Sequence, residues 1–200
     1  MKVITLSPET FQKTAFALAE KVYAKEERID MIIGIATGGA YVSRHIHTCF
    51  TQQGWQGNYR EVRLSRASTD TKERFGLASL LSHLPYPILD LLRNAEAYYH
   101  RLKRDPKPPE SSTVPVELPQ EVTAEIRQAG HILLIDDAVD TGATLLRLQN
   151  TLAYLNPDVT ITTAVLTVTQ DDPYLLPDHT LYEDTLLRCP WAMDYKASHA

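Results

Sequence analysis

The nine residues Asp136-Asp137-Ala138-Val139-Asp140-Thr141-Gly142-Ala143-Thr144 carry more possible chemistry than any other stretch of this 200-residue chain. Two adjacent carboxylates can accept hydrogen bonds from sugar hydroxyls or help hold a hydrated divalent cation. Beyond them come a third carboxylate, two hydroxyls and a glycine. A glycine lets backbone N–H groups approach an anion closely, and a helix N-terminus adds partial positive charge. Hydroxyl acceptors on one side and a phosphate cradle on the other describe a site for a sugar phosphate.

The flanking residues say what must position that site. Ile132-Leu133-Leu134-Ile135 has the length and apolar content of a buried parallel strand. Leu145, Leu146, Leu148, Leu152 and Leu155 share one helical face. The acids, the Thr pair and the glycine therefore sit where a strand turns into a helix, the place where open α/β sheets bind ligands. The bland alternative is an ordinary strand–loop–helix with a solvated acidic turn. A Walker B strand would need a Gly-x4-Gly-Lys-Ser/Thr loop upstream, and none is present. A receiver domain would place its acid pair near the start, with far more chain after it than the 56 residues that follow Thr144.

With four apolar residues, two acids, two apolar residues and then Asp-Thr-Gly-x-Thr, the segment resembles the phosphoribosyl-pyrophosphate (PRPP) motif of the type I phosphoribosyltransferases. The resemblance spans roughly residues 30–66 and 120–195, and is nearest in look to the hypoxanthine/xanthine-guanine enzymes. It implies a Rossmann-like parallel α/β sheet flanked by helices, with a small C-terminal hood. It also implies transfer of the 5-phosphoribosyl group of PRPP to a nitrogen of a base, purine-like by the resemblance, with release of pyrophosphate. By the same resemblance Asp136 and Asp137 contact the ribose hydroxyls. Asp140, Thr141, Gly142, Ala143 and Thr144 hold the 5′-phosphate, and Asp140 is the catalytic candidate, accepting the base proton or stabilising charge near C1′. PRPP arrives with Mg²⁺, which keeps several waters, so few direct protein ligands are expected beyond Asp136 and Asp137. Family analogy also implies a homodimer. A non-catalytic PRPP or nucleotide sensor on the same fold is the competing class; such regulators usually add a DNA-binding domain or a basic surface, and neither is seen here.

Three further regions fit the same scheme. Met31-Ile32-Ile33-Gly34-Ile35 reads as a short buried strand, followed by Ala36-Thr37-Gly38-Gly39. A tight turn explains that ending on its own; the resemblance makes Thr37, Gly38 and Gly39 a pyrophosphate loop, with a strained Ala36-Thr37 peptide bond. Arg63 and Arg66 close a strand over Tyr59–Leu64 and precede a loop that would cover the site; they either add charge for pyrophosphate or are solvated strand-end arginines. In the hood, Cys189-Pro190-Trp191-Ala192-Met193-Asp194-Tyr195 resembles the base-holding segment of the purine enzymes, with Trp191, Asp194 and Tyr182 as base-binding candidates. Two roles are open to Trp191: stacking on the base, or filling the hood's small core. The chain also departs from those enzymes. Where they carry a lysine after the last main strand it has Thr169-Gln170, and where they carry a stacking aromatic it has Leu186-Leu187.

The remaining chain supplies the scaffold. Ser7-Pro8-Glu9 starts a helix with a capping hydroxyl, a first-turn proline and an acid near the positive dipole end. Phe11, Ala15, Leu18, Ala19 and Val22 mark its apolar stripe, and Val42, Ile46, Cys49 and Phe50 face inward from a second helix. Ile88, Leu91, Leu92, Ala95, Tyr98, Tyr99 and Leu102 form an amphipathic helix that is either a dimer contact or part of the lid. Asp105–Pro119 holds five prolines in fifteen residues, too many for a helix or central strand, and reads as an extended loop. We take residues 65–119 as a loop plus helical and Pro-rich insertion, a short helix near 121–129, a last main strand over Val159–Val168, and the hood over 170–200.

Two hundred residues suit one domain. A net charge of −5 gives no electrostatic case for nucleic-acid binding. Cys49 and Cys189 make no disulfide framework and read as reduced thiols in a cytoplasmic protein. The first residues lack the apolar core of a signal peptide, and no apolar run is long enough to span a membrane.

Overall fold

The computed structural model describes residues 1–26, 28–64, 84–103 and 105–197. Its centre is a five-stranded sheet of β2 (Met31–Ala36), β3 (Asn58–Arg63), β4 (His131–Val139), β5 (Thr160–Val168) and β6 (His179–Glu183) in the order β3-β2-β4-β5-β6. Every pairing is parallel. The unbroken apolar run Ile132–Ile135 follows from that arrangement, since a parallel sheet is covered on both faces. Leu133 and Ile135 point into one core with Ile32, and Ile132 and Leu134 into the other with Met31 and Ile33. All four residues of the run are fully buried, each contributing about 1.5–3 kcal/mol of transfer free energy.

Helices α1 (Pro8–Tyr23) and α2 (Gly38–Gln52) cover the first face. The stripe Phe11, Ala15, Leu18, Ala19 and Val22 is buried as the spacing predicts, and so are Val42, Ile46, Cys49 and Phe50. The Ser7 hydroxyl accepts from the Thr10 N–H at 3.2 Å, so α1 begins at its predicted cap. Of the two later helices α4 (Gln120–Ile126) and α5 (Ala143–Leu155), which cover the second face, α5 supplies Leu145, Leu148 and Leu152.

Three features differ from the sequence reading. The strand read over Ile132–Ile135 runs from His131 to Val139, so Asp136 and Asp137 lie within β4. β4 pairs with β2 only as far as Ile135 and runs on beside β5 to Val139, so its acid-bearing end projects past β2. The strand read over Val159–Val168 is not the last of the sheet: β6 adds to it in parallel, anchored where the Asp178 carboxylate accepts from both the N–H (2.8 Å) and hydroxyl (2.6 Å) of Thr163. Finally, β1 (Lys2–Thr5), which the reading left unassigned, pairs in parallel with β7 (Thr185–Arg188), so the C-terminal segment is built partly from the other end of the chain.

The helix α3 (Tyr86–Leu102) forms over the predicted residues but turns its apolar stripe outward. Leu89 is buried, whereas Leu91, Tyr98 and Leu102 are 69%, 63% and 68% exposed. Its inward face is polar. Arg93 forms a two-pronged pair with Asp194 (2.7 and 2.5 Å), Asp90 accepts from Arg188 at 2.6 Å, and Arg101 donates to the Thr169 carbonyl at 2.7 Å.

Candidate active site

The chain leaves β2 outward to β3 and then returns to β4 on β2's other side. That reversal makes the carboxyl ends of β2 and β4 a switch point, where two loops diverge and leave a crevice. Thr37 to Gly39 follow β2, and Asp140 to Thr144 follow β4, so the two glycine-bearing loops named from sequence open onto one crevice. They meet closely: a Cβ on Gly39 would lie 2.6 Å from the Ile135 carbonyl, which lets α2 start directly against β4. The Ala36-Thr37 peptide is cis. Gly142 has φ +77°, which L side chains rarely adopt, and a Cβ there would lie 2.9 Å from the Leu175 backbone.

Three cavities share the Asp137 side chain. The largest, about 940 Å³, is bordered by Asp136 to Leu145 and covered on the opposite side by Lys103, Asp105, Lys107 and Tyr174. Tyr174 joins these walls: its hydroxyl donates to the Asp105 carbonyl at 2.5 Å, and its N–H donates to the Thr141 carbonyl at 2.7 Å. A second cavity of about 560 Å³ is bordered by Thr37, Gly38, Asp136, Asp137, Thr144 and Arg147. The third, about 270 Å³, lies between α3 and the C-terminal segment and is lined by Asp137, Asp140, Thr169, Gln170, Leu186 and Leu187 among others.

Charge in the crevice is set by burial. Desolvation raises the Asp137 carboxyl above its ordinary value, and the negative charge of Asp140 adds to it. Hydrogen bonds from Asp136 and the backbone N–H groups of Asp137 and Ala138 pull the other way without cancelling it. A carboxylate destabilised in this way is suited to a cation or to donor hydroxyls. Asp140 is exposed at the mouth of the small cavity, and the Thr169 hydroxyl donates to it in a short hydrogen bond. That contact fixes the carboxylate's direction. Cys189 lines the small cavity as a neutral thiol, pushed up to about 12 first by burial and then by Asp137.

Every residue of the Asp136–Thr144 motif borders this crevice, as do Thr37 and Gly38. Arg63 is exposed at the end of β3, in register with Ala36 beside the loop, and Arg66 lies outside the described residues. The three base-binding candidates are not brought to the small cavity. Trp191 stacks on Tyr41 (4.6 Å between centroids) and meets Phe11 edge-on, so it packs against α1 and α2. Asp194 is buried between Arg93 and Arg188; burial alone would raise its pKa, but those two partners outweigh it and hold the carboxyl at about 2. Tyr182 sits on edge strand β6, paired with Thr167 through the backbone and away from the cavity wall. The departures Thr169, Gln170, Leu186 and Leu187 do line it, and α3 adds Arg93, Glu96, Ala97 and His100. Sequence offered no signal for that helix wall beyond the helix itself, because its inward residues are polar and its stripe points elsewhere.

The family profile described as "Phosphoribosyl transferase domain" matches residues 4–185. No curated protein sequence is a match. Among solved structures, the chain is similar to a purine phosphoribosyltransferase from Pyrococcus horikoshii, at 17% identity and TM-score 0.56, covering 96% of this chain and 95% of that one. It is similar to a Helicobacter pylori xanthine-guanine-hypoxanthine phosphoribosyltransferase at 14% identity and TM-score 0.53, covering 92% and 91%. A Trypanosoma cruzi hypoxanthine phosphoribosyltransferase complexed with IMP aligns at 13% identity and TM-score 0.54, covering 88% and 73%. At these identities the structures speak for the fold. The family profile, spanning nearly the whole chain and both glycine loops of the crevice, shows that this chain belongs to the phosphoribosyltransferases and is an enzyme of that type.

Proposed function

We propose that residues 1–200 act as one domain that transfers the 5-phosphoribosyl group of PRPP to a nitrogen of a purine-like base and releases pyrophosphate. The observation that carries this reading is the meeting of three cavities at Asp137, one for each part of the reaction. The 5′-phosphate sits against the backbone of Thr141 to Thr144, where the start of α5 offers N–H groups and positive dipole. Asp136 and Asp137 take the ribose hydroxyls. Pyrophosphate leaves toward Thr37, Gly38 and Gly39, with Arg63 at the end of β3 beside them and Arg147 in the wall; Arg66, outside the described residues, is proposed to add charge for it. Mg²⁺ fits this donor set, since desolvation and the nearby Asp140 charge outweigh the hydrogen bonds that stabilise the charged form of Asp137. The ion would be held by Asp136 and Asp137 through water, neutralising the phosphates of PRPP.

Asp140, aimed by Thr169, receives the proton that the base nitrogen loses as its bond to C1′ forms. A positioned general base contributes about 10²–10⁴-fold. Asp140→Asn is therefore expected to lower kcat by that order while PRPP still binds. The residues from 170 onward act as the hood over the base, and residues 65–119 as the loop and insertion that complete it. Cytoplasmic chemistry on small molecules rather than nucleic acid agrees with the −5 charge and the two buried free thiols. Among the described residues no helix is long and apolar enough to cross a membrane. A homodimer through α3 is supported by the heptad spacing of its exposed Ile88, Leu92, Ala95, Tyr99 and Leu102.

The deciding assay is pyrophosphate release from PRPP and Mg²⁺ against a panel of purines, pyrimidines and other nitrogen heterocycles. Release with at least one base, lost in Asp140→Asn, is the expected result. PRPP binding with no release for any base would point instead to a PRPP sensor.

A further inference from the structure

The small cavity contains one polar side chain with nothing to do. Gln170 is only 7% exposed, yet among the described residues its side-chain amide has no hydrogen-bond partner. It borders both the small cavity and the large one, so it stands where the acceptor meets the sugar. The amide itself is not sealed from solvent, so the little of Gln170 that is exposed opens onto the cavity. Its donor and acceptor are thus free to meet a ligand group.

The other polar groups in the wall narrow what that group is. The Thr169 hydroxyl is given to Asp140, and Arg93 is given to Asp194 and to the Leu187 carbonyl. Opposite them, α3 presents Glu96 and His100 one turn apart, with 3.9 Å between the carboxylate and the imidazole. Glu96 is an acceptor only, whereas the Gln170 amide offers a donor and an acceptor side by side. Ala97, Leu186, Leu187 and Cys189 supply apolar contact without an aromatic platform. This set has more spare acceptors than donors, so it favours a ligand that donates.

We propose that the acceptor is an amino-substituted nitrogen heterocycle, its amino group and adjacent ring nitrogen read together by the Gln170 amide, with Glu96 favouring the amino over the oxo form. An amide matches the N6/N7 edge of an aminopurine, donor beside acceptor, as glutamine does when it reads adenine in nucleic acid, whereas the O6/N7 edge of an oxopurine presents two acceptors and suits a cationic donor. The proposal rests on the transferase reading above and names the substrate class for its acceptor cavity.

Adenine and hypoxanthine are near-isosteric probes of this difference. Their equilibrium binding to the PRPP- and Mg²⁺-loaded protein, together with pyrophosphate release, tests the assignment. Adenine is expected to be favoured by about 5- to 150-fold, the range for one bidentate amide contact. Gln170→Leu should collapse that ratio toward one, and Gln170→Lys, a donor-only cation, should turn it toward hypoxanthine. PRPP binding in each variant checks that it is folded. Equal or tighter binding of hypoxanthine by the wild-type protein, binding of neither base, or an unchanged ratio in Gln170→Leu overturns the proposal. Failure of the transferase reading looks different: adenine binds selectively, but no pyrophosphate is released with any base.

Discussion

Neutralising Asp194 should loosen the C-terminal segment by an amount that the structure allows to be worked out. The carboxylate is 7% exposed and lies between two guanidinium groups. It accepts from Arg93 at 2.7 and 2.5 Å and from Arg188 at 2.9 Å, and Arg188 is itself 1% exposed and bonded to Thr5 and Asp90. Burial would raise its pKa, but the two arginines bring it from 3.8 down to about 2. At about 1.36 kcal/mol per unit, and allowing for solvent screening, the charged form is favoured in the folded state by about 2 kcal/mol. Asp194→Asn keeps the shape and loses the charge, so it should cost about that much. For a chain of this size the loss corresponds to about 4–8 °C in Tm. Asp194→Ala also strips acceptors from Arg93 and should cost about 3–5 kcal/mol, the range for breaking a buried pair on one side.

The pH dependence gives a second check on the same reasoning. A depressed carboxyl contributes its full stabilisation above the unfolded value near 3.8 and loses it as pH falls toward 2. Urea denaturation of wild type and Asp194→Asn across pH 7 to 3 should therefore give a constant gap at neutral pH that narrows below pH 4. A gap under 0.5 kcal/mol at pH 7 (roughly the scatter of surface substitutions), or one that widens on acidification, would refute the ion-pair account. Because Arg93 also holds the Leu187 carbonyl in the cavity wall, the variant should raise KM for the base more than for PRPP.

Asp137 should respond in the opposite sense. Its raised pKa means the folded, ligand-free protein holds a proton that the unfolded chain releases, so stability falls as pH rises through the range above 3.8. Asp137→Asn is expected to raise Tm at pH 7 in thermal melts while weakening PRPP binding in the presence of Mg²⁺, the usual exchange of stability for function at a site. The outward face of α3 should behave as a self-association surface: Leu91→Glu with Tyr98→Lys is expected to shift the protein from dimer to monomer in light scattering without lowering Tm, since both side chains are more than 60% exposed. A monomeric wild type would remove that role.

The crevice proposed for the donor was legible because its residues are local in the chain. A strand, two acids, a glycine at positive φ and a helix start are all written within about twenty consecutive residues, and the same holds for the loop after β2. The acceptor half was not, because it is assembled from α3, β4, β5 and β7, which no spacing along the chain connects. Trp191 shows the difficulty: its segment promises an aromatic for the base, but Phe11 and Tyr41 offer it a closer apolar berth. Asp194 was misjudged for a related reason, since its partners Arg93 and Arg188 come from elements whose meeting depends on the outward turn of α3. Gln170 stood out as a departure from the resemblance, and only its place in the wall of two cavities, with no side-chain hydrogen bond among the described residues, gave that departure a meaning. β6 was missed because His179-Thr180-Leu181-Tyr182-Glu183 carries few of the β-branched residues that reveal its neighbour β5.

The parallel pairing of β1 with β7 has a bearing on how the protein is made. Thr5 and Arg188, which meet across that pairing, are 183 residues apart in the chain. β1 leaves the ribosome early and waits, while β7 follows all five strands of the central sheet. The walls of the crevice proposed for PRPP, from Asp136 to Tyr174, are all made before β7, whereas the small cavity gains its last wall only when β7 has been made. On the proposed function, a chain caught in that interval would hold the donor in a site not yet closed, and an activated sugar left open to water is lost to hydrolysis. The long-range strand pair therefore sets the moment at which binding the donor becomes productive.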